Sequence, residues 1–435
     1  MHTNENICTF IYIYNCNPQL KKHSVTLHMM TELNTENQIS KNRNFLIDLS
    51  DQNDDSLDLK YLIHNFCGTV VKGISEIQKT SNKIRVYAIG HIEQLQHETD
   101  TVLIIKELSF NYENIVKKNF KITSLGKVPT NIHNAGVFYR DFFDNIDYFN
   151  KIKSEHEFQN LTESNKESMA LRKGIYLTKV IKDKKEALHF RLLRCSSNLT
   201  GPTDNFRETD DQIVNSLNDI IQFDFEKNTK LNHVLAQIYL NKKKDENTSK
   251  EIKAKIKAHS DKTKDMPKEG LIAFCTFYDS TNFEKLTPSK TDKFDWCYKK
   301  SSGLTKLLFK LKNTVNDDSL EREFSITLYP NSVFLIPLST NRLYTHEIKP
   351  SVLNIDKIPV RMGYIIRCSN LEATFTNNQT YIKENGDLIK LEQMNSKTMN
   401  NLRDSYYKEN KSEKVVDYGK IHFSMNSGDY QKPIY

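Results

Sequence analysis

The run Arg361-Met362-Gly363-Tyr364-Ile365-Ile366-Arg367 constrains the fold of this 435-residue chain more than any other stretch, because it is apolar between two cations. On an extended strand successive side chains alternate faces, so residues an even number apart share one face. Arg361 and Arg367 then point the same way, and each guanidinium can fork onto a carboxylate. A dicarboxylic keto acid offers two such carboxylates.

The same parity holds upstream in His259-Ser260-Asp261. On a strand His259 and Asp261 project together and can grip one cation, while Ser260 points away. A second histidine from a distant strand would complete a facial set of two His and one carboxylate. That set suits ferrous iron, since three coordination positions stay open for O₂ and an organic acid. His346 is the expected third ligand. A His-x-Asp triplet alone arises readily by chance in a chain with 13 histidines, so the weight falls on order and context. The triplet precedes the apolar run Leu271-Ile272-Ala273-Phe274, and His346 follows two strand-like runs, Phe324 to Tyr329 and Ser332 to Pro337. His91-Ile92-Glu93 has a similar form but no paired arginines after it, and reads as structural.

With these residues in place the pattern resembles the Fe(II)/2-oxoglutarate-dependent dioxygenases, and within them the AlkB-like nucleic-acid demethylases. The second arginine, Arg367, separates that group from the wider superfamily. The resemblance implies a double-stranded β-helix (jelly-roll) catalytic core with flanking helices, in an overall α+β chain. It implies His259, Asp261 and His346 as Fe(II) ligands, Arg361 on the distal carboxylate of 2-oxoglutarate and Arg367 near its keto-acid end. Tyr239 and Gln237 stand where the family has a co-substrate-contacting Tyr and Asn. Gln237 is a departure, as is Gly363, where Asn is common, and the segment between Tyr239 and His259 is long. The match begins near Gly136 to Phe143, which resembles the opening helix of that domain, and runs to about residue 375. Implied partners are O₂, 2-oxoglutarate and a single-stranded or methylated nucleic acid. Between residues 174 and 206 the family places a lid over an extruded base, with Tyr176, Phe190 and Phe206 as candidate stacking residues.

Composition sets outer bounds. The chain is 37% hydrophobic and 10% aromatic, enough for ordinary cores. No apolar run reaches the length of a membrane span, and Ile7 to Tyr14 lacks the flank and length of a secretory signal. Seven cysteines without Cys-x-x-Cys spacing support neither a disulfide framework nor a zinc knuckle. The expectation is an intracellular chain, cytoplasmic or nuclear, in which the sequon Asn198-Leu199-Thr200 carries no sugar. Net charge is +7. Lys242, Lys243, Lys244, Lys250, Lys253, Lys255 and Lys257 supply much of it and lead straight into the metal triplet. Such a segment can hold phosphates beside the site, or simply be solvated.

Four units are expected. Residues 1–40 read as poorly ordered. Residues 41–128 read as a small α+β module, with strands at Asn44 to Leu49, Gly68 to Val71, Ile84 to Ile89 and Val102 to Ile105. Residues 129–375 hold the dioxygenase core, entered after Lys127-Val128-Pro129-Thr130, with amphipathic helices at Phe142 to Lys153 and Asp210 to Phe223. Residues 376–435 carry a hairpin turning at Asn385-Gly386, a polar helix near Ser396 to Lys408 and a tail. The expected activity is oxidative demethylation or hydroxylation of an alkylated base. Two alternatives stay open, hydroxylation of a protein side chain or small metabolite, and an inactive jelly-roll binding module. The oligomeric state is not legible.

Overall fold

The computed structural model describes residues 36–51, 55–77, 83–95, 102–115, 120–163, 166–194, 199–243 and 250–435. Most of the segment expected to be poorly ordered, Asn198 of the sequon and Lys244 lie outside these residues. Among the described residues no helix is long and apolar enough to cross a membrane.

The described chain opens on β1 (Asn44–Leu49), α1 (Leu57–Asn65), β2 (Thr69–Val71), β3 (Arg85–Gly90), β4 (Val102–Ser109) and β5 (Lys121–Thr123). The strands pair in the order β2-β1-β3-β4-β5, and every pair is parallel. The runs Phe-Leu-Ile and Val-Tyr-Ala-Ile are continuous because both faces are covered. Phe45, Ile47, Val86, Ala88 and Ile104 pack on one side; Leu46, Tyr87, Ile89 and Ile105 meet Leu59 and Leu62 of α1 on the other. The strands expected of a small α+β module thus form a wholly parallel sheet. Parallel order depends on crossovers, which local hydrophobic pattern does not encode.

From Thr130 the chain enters a larger body. β6 (Thr130–Ile132) and β7 (Gly136–Tyr139) form an edge hairpin, followed by α2 (Tyr148–Glu155), β8 (Gln159–Glu163), the long β9 (Lys166–Thr178), β10 (Ile181–Lys182), β11 (Leu188–Leu192), β12 (Asp204–Asn205) and α3 (Glu208–Asp224). Next come β13 (His233–Tyr239), β14 (Ile256–His259), β15 (Leu271–Tyr278), three short strands β16 (Thr287–Pro288), β17 (Trp296–Tyr298) and β18 (Ser301–Ser302), β19 (Lys306–Leu311), β20 (Glu323–Thr327) and β21 (Val333–Pro337). The chain then passes through α4 (Leu338–Leu343), β22 (Tyr344–Lys349), β23 (Arg361–Arg367), β24 (Leu371–Thr376), β25 (Gln379–Glu384), β26 (Asp387–Lys390) and α5 (Ser396–Lys411).

Two sheets of this body position the site. The large one runs β12-β9-β13-β23-β15-β21-β7-β6, with β8 beside β9, and the small one runs β14-β22-β19-β20. All eight residues of β15 are buried, because α2 and α3 cover one face of the large sheet and the small sheet covers the other. Ala273, Cys275, Phe277, Met362 and Tyr364 face the helices, packing with Phe149, Ile213 and Leu217. Ile272, Phe274, Phe334 and Ile336 face Leu307, Phe309, Phe324 and Ile348 of the small sheet. The small sheet has one wet face, so β19 and β20 alternate buried with exposed residues.

Two helix expectations need correction. Gly136 to Phe143 is strand β7 and an irregular turn, since a Cβ at Gly136 would stand 2.5 Å from the Leu335 carbonyl oxygen, and only glycine permits that approach to β21. The next helix starts at Tyr148 rather than Phe142 because Asp147 caps it, Oδ1 accepting from Asn150 N at 3.0 Å. The C-terminal hairpin forms as expected, with Asn385 at φ 51 and Gly386 at φ 95. It joins β10, β11 and β24 in one sheet and so belongs to the body.

α3 is held at both ends. At its N-terminus His156 is fully buried and bridges two carboxylates, Nδ1 to Asp204 at 2.7 Å and Nε2 to Asp210 at 2.8 Å. Tyr364 of β23 donates to the same Asp210 at 2.6 Å. At its C-terminus Arg43 Nη1 donates to the carbonyls of Gln222 at 2.7 Å and Phe225 at 2.9 Å, satisfying groups a helix end leaves open. Burial alone would lower the His156 imidazolium, but Asp204 and Asp210 lift its pKa to about 9. A raised folded pKa stabilises while the ring is charged, fully below its ordinary value near 6.5, and the contribution fades as pH rises through about 9. The melting temperature is therefore expected to fall from pH 7 to 9.5 in the wild type and to fall less in His156→Gln. Parallel slopes for the two proteins in a thermal melt series would refute this role.

Candidate metal centre

β14 and β22 lie antiparallel, and the register sets His259 directly opposite His346. The alternation of β22 turns Tyr344, His346 and Ile348 inward. His346 is 3% exposed, with its ring 5.3 Å from that of Phe274 and 5.7 Å from that of Phe309. The two imidazole centroids are 4.5 Å apart. β14 ends at His259, and the next turn brings Asp261 between them, its Oδ1 3.7 Å from His259 Nε2 and 4.0 Å from His346 Nε2. One donor atom from each residue falls within 4.8 Å of the others, a span one divalent cation can bridge.

The protonation states suit a cation. His259 Nδ1 lies 2.9 Å from the Lys257 carbonyl oxygen, an acceptor only, so Nδ1 donates there and Nε2 is the nitrogen turned toward Asp261. Burial pushes the His346 pKa down to about 3, so this ring is neutral. Burial would raise the Asp261 carboxyl, but the Arg367 guanidinium, by its charge and its hydrogen bond, holds it well below the usual range. Arg367 approaches only the far oxygen, Nε at 2.8 Å and Nη2 at 2.7 Å from Oδ2, leaving Oδ1 for the cation.

Strand β23 carries both arginines on the face that looks toward the small sheet, 3% and 5% exposed. Their Cα atoms are about 20 Å apart along the strand, so both must lean inward to meet one ligand. Arg361 does lean toward Arg367, for a Cβ at Gly363 would stand 3.1 Å from its Nη1 and 3.3 Å from Tyr239 Cε2. Glycine at 363, the departure noted in the sequence, leaves the space that lets the guanidinium lie over the Tyr239 ring at 4.0 Å. Gln237 and Tyr239 sit on the adjacent strand opposite Gly363 and Arg361, with Tyr239 Oη donating to Gln237 Oε1 at 3.4 Å. Arg361 Nε and Nη2 are buried and have no hydrogen-bond partner among the described residues, and Thr276 Oγ1, opposite Gly363, is in the same state. A buried cation without a counter-charge costs several kcal/mol, and a carboxylate held between Arg361 and Thr276 would remove that cost. The residues therefore fit both a divalent cation and a dicarboxylic acid.

The structure thus brings His259, Asp261, His346 and Arg367 together and sets Arg361, Tyr239 and Gln237 on the same sheet face. It does not deliver the stacking residues. Tyr176, Phe190 and Phe206 are each buried below 8% exposure in apolar clusters. Tyr176 and Phe190 alternate inward on β9 and β11, and Phe206, just past β12, packs into the core beside α3, so all three fill cores rather than stack on a base. His233 and Thr276 had not been singled out from the sequence. His233 is paired with Arg367 across β13 and β23, its Nδ1 without a partner among the described residues and its pKa pushed down to about 3 by burial and Arg367. Its even spacing from Gln237 and Tyr239 was the available signal. A second grouping with ligand-like side chains, Glu155, His156 and Asp210, is the ion cluster at the start of α3, where both imidazole nitrogens already meet carboxylates.

Neither a protein-family profile nor a curated protein matches the chain. Among solved structures it is similar to OsALKBH1, at 11% identity and TM-score 0.29, over 54% of this chain and 96% of that one. It is also similar to the Fe(II)/α-ketoglutarate-dependent dioxygenase TqaL, at 6% identity and TM-score 0.22, over 57% of this chain and 79% of that one. Likenesses this slight leave function to the residues themselves.

Proposed function

We propose that residues 129–375 form a jelly-roll dioxygenase core that uses Fe(II) and 2-oxoglutarate to hydroxylate an alkylated nucleic-acid base, and that residues 41–128 form a separate accessory module. The observation that carries this reading is that His259 and His346 on the small sheet meet at Asp261, and that the facing strand β23 carries Arg367 on that same Asp261 and a buried Arg361 whose Nε and Nη2 have no partner among the described residues. Ferrous iron bound there would supply O₂ activation and the oxidative decarboxylation of 2-oxoglutarate to succinate, coupled to oxidation of a C–H bond.

The chain's own residues do the rest. His259 and His346 would hold the metal through imidazole nitrogens. Asp261 balances charge through Oδ1 while Arg367 orients it through Oδ2. Arg361, with Thr276 and Tyr239 beside it, takes the distal carboxylate and so sets how far the keto acid reaches toward the metal. Phe274 and Phe309 keep water from the buried side of His346. If the oxidised carbon is a methyl on a base nitrogen, the hydroxylated product collapses to formaldehyde and the free base.

For the substrate class, support comes from the segment before His259, where Lys243, Lys250, Lys255 and Lys257 are exposed. The test is succinate and formaldehyde release with Fe(II) and 2-oxoglutarate against methylated single-stranded oligonucleotides and peptides. Turnover on oligonucleotides is expected, with binding that weakens as salt rises. Replacing Lys255 and Lys257 by Glu should flatten log K against log[salt] by about 1.4, near 0.7 per lost phosphate contact on single strands. An unchanged slope would assign the lysines to solvent, and turnover confined to peptides would move the substrate to protein.

A further inference from the structure

Beyond β14 the loop 260–265 has no ladder partner, and the amides of Ser260, Asp261 and Thr263 are satisfied by side chains. Those side chains come from two helices. Asp261 N donates to Asn341 Oδ1 at 2.8 Å, and Asn341 Nδ2 donates back to Asp261 O at 2.8 Å. Ser260 N, between the two metal-type ligands, donates to Asn410 Oδ1 at 2.7 Å. Thr263 N donates to Glu409 Oε1 at 3.1 Å, and the Thr263 hydroxyl donates to the same oxygen.

Glu409 and Asn410 belong to the last turn of α5, outside the stretch the family resemblance covers. Glu409 is only 7% exposed on an otherwise polar helix. The end of α5 is fixed by Lys312, whose buried Nζ donates to the carbonyls of Glu409 at 2.7 Å and Ser412 at 3.1 Å. Lys312 directly follows β19, which is paired with the His346 strand. α5 is therefore tied at one turn to both elements that carry the candidate ligands.

We propose that α5 clamps the metal loop, with Asn410 and Glu409 as positioning residues that set where His259 and Asp261 stand and so how tightly a divalent cation is held. This rests on the metal reading of the preceding subsection. Asn410 fixes the peptide between the two ligands, and Glu409 fixes the exit of the loop.

The test is titration of the metal-free full-length protein with Co²⁺, read by calorimetry and by visible d–d absorption. The wild type is expected to bind and show bands that Asp261→Ala abolishes. Asn410→Ala is expected to bind about tenfold more weakly with altered bands. Asn410→Asp, which keeps an acceptor oxygen at that place, restores both, and Tyr407→Ala, on the exposed side of α5, changes neither. If Asn410→Ala does not fold, Thr263→Val, which removes only the hydroxyl donor to Glu409, carries the test with an expected loss of about threefold. Wild-type affinity and bands in Asn410→Ala, or in Thr263→Val where that variant is needed, overturn the clamp while the metal reading stands. Absence of any Co²⁺ bands in the wild type overturns the metal reading itself.

Discussion

Asp261→Ala is expected to reduce 2-oxoglutarate turnover to background and to destabilise the protein by about 3–5 kcal/mol. The carboxylate is the sole anionic donor of the three, and it also neutralises Arg367 through Oδ2. Removing it takes away the cation's counter-charge and strips a buried guanidinium of this partner at once. His346→Ala separates the two roles, since His346 Nδ1 is buried without a hydrogen-bond partner among the described residues. It should abolish turnover with a much smaller loss of stability. Succinate release and thermal melts on both variants decide the matter: retained turnover in either one removes that residue from the ligand set.

Arg361→Ala is expected to raise the half-saturating 2-oxoglutarate concentration about 100-fold, within the 2–5 kcal/mol typical of breaking a buried charge pair. Co²⁺ binding should not change, because Arg361 touches Tyr239 and Gly363 rather than the ligands. The effect on the ligand-free protein has the opposite sign. With Nε and Nη2 unpartnered in the buried state, the guanidinium is a liability until a carboxylate arrives. Arg361→Met should therefore raise the melting temperature of the free protein and cancel the further rise that 2-oxoglutarate confers on the wild type. Arg361→Lys should rescue little, since an ammonium lacks the planar fork. A melting temperature that falls in Arg361→Met, or a co-substrate response that survives, would assign Arg361 to packing.

Much of the candidate site was legible because parity on a strand is a local property. Arg361 and Arg367 share a face by spacing alone, and so do Gln237 and Tyr239. The lid implied by the family resemblance offered Tyr176, Phe190 and Phe206 as stacking residues, whereas all three are buried in apolar clusters. Strand parity passed over His233, which shares the face of Gln237 but lies outside any motif. Gly363, a departure from the Asn common in the family, leaves the space that the Arg361 guanidinium occupies. The helix at Phe142 began late because a single capping Asp147 outweighed the apolar run before it.

Residue types and their spacing determined that two histidines and an aspartate could serve one cation and two arginines one dicarboxylic acid, and that Arg361 and Arg367 would share a strand. Asp261, expected on the strand of His259, stands in the loop just beyond it. Only the tertiary structure decided that His346 faces His259 across a strand pair, that Asp261 is shared between the imidazoles and Arg367, and that α5 returns some 150 residues later to hold Ser260. Strand parity is written in neighbours along the chain. Register, crossovers and the satisfaction of loop amides arise from contacts between distant segments, formed when buried polar groups must find partners wherever the fold supplies them.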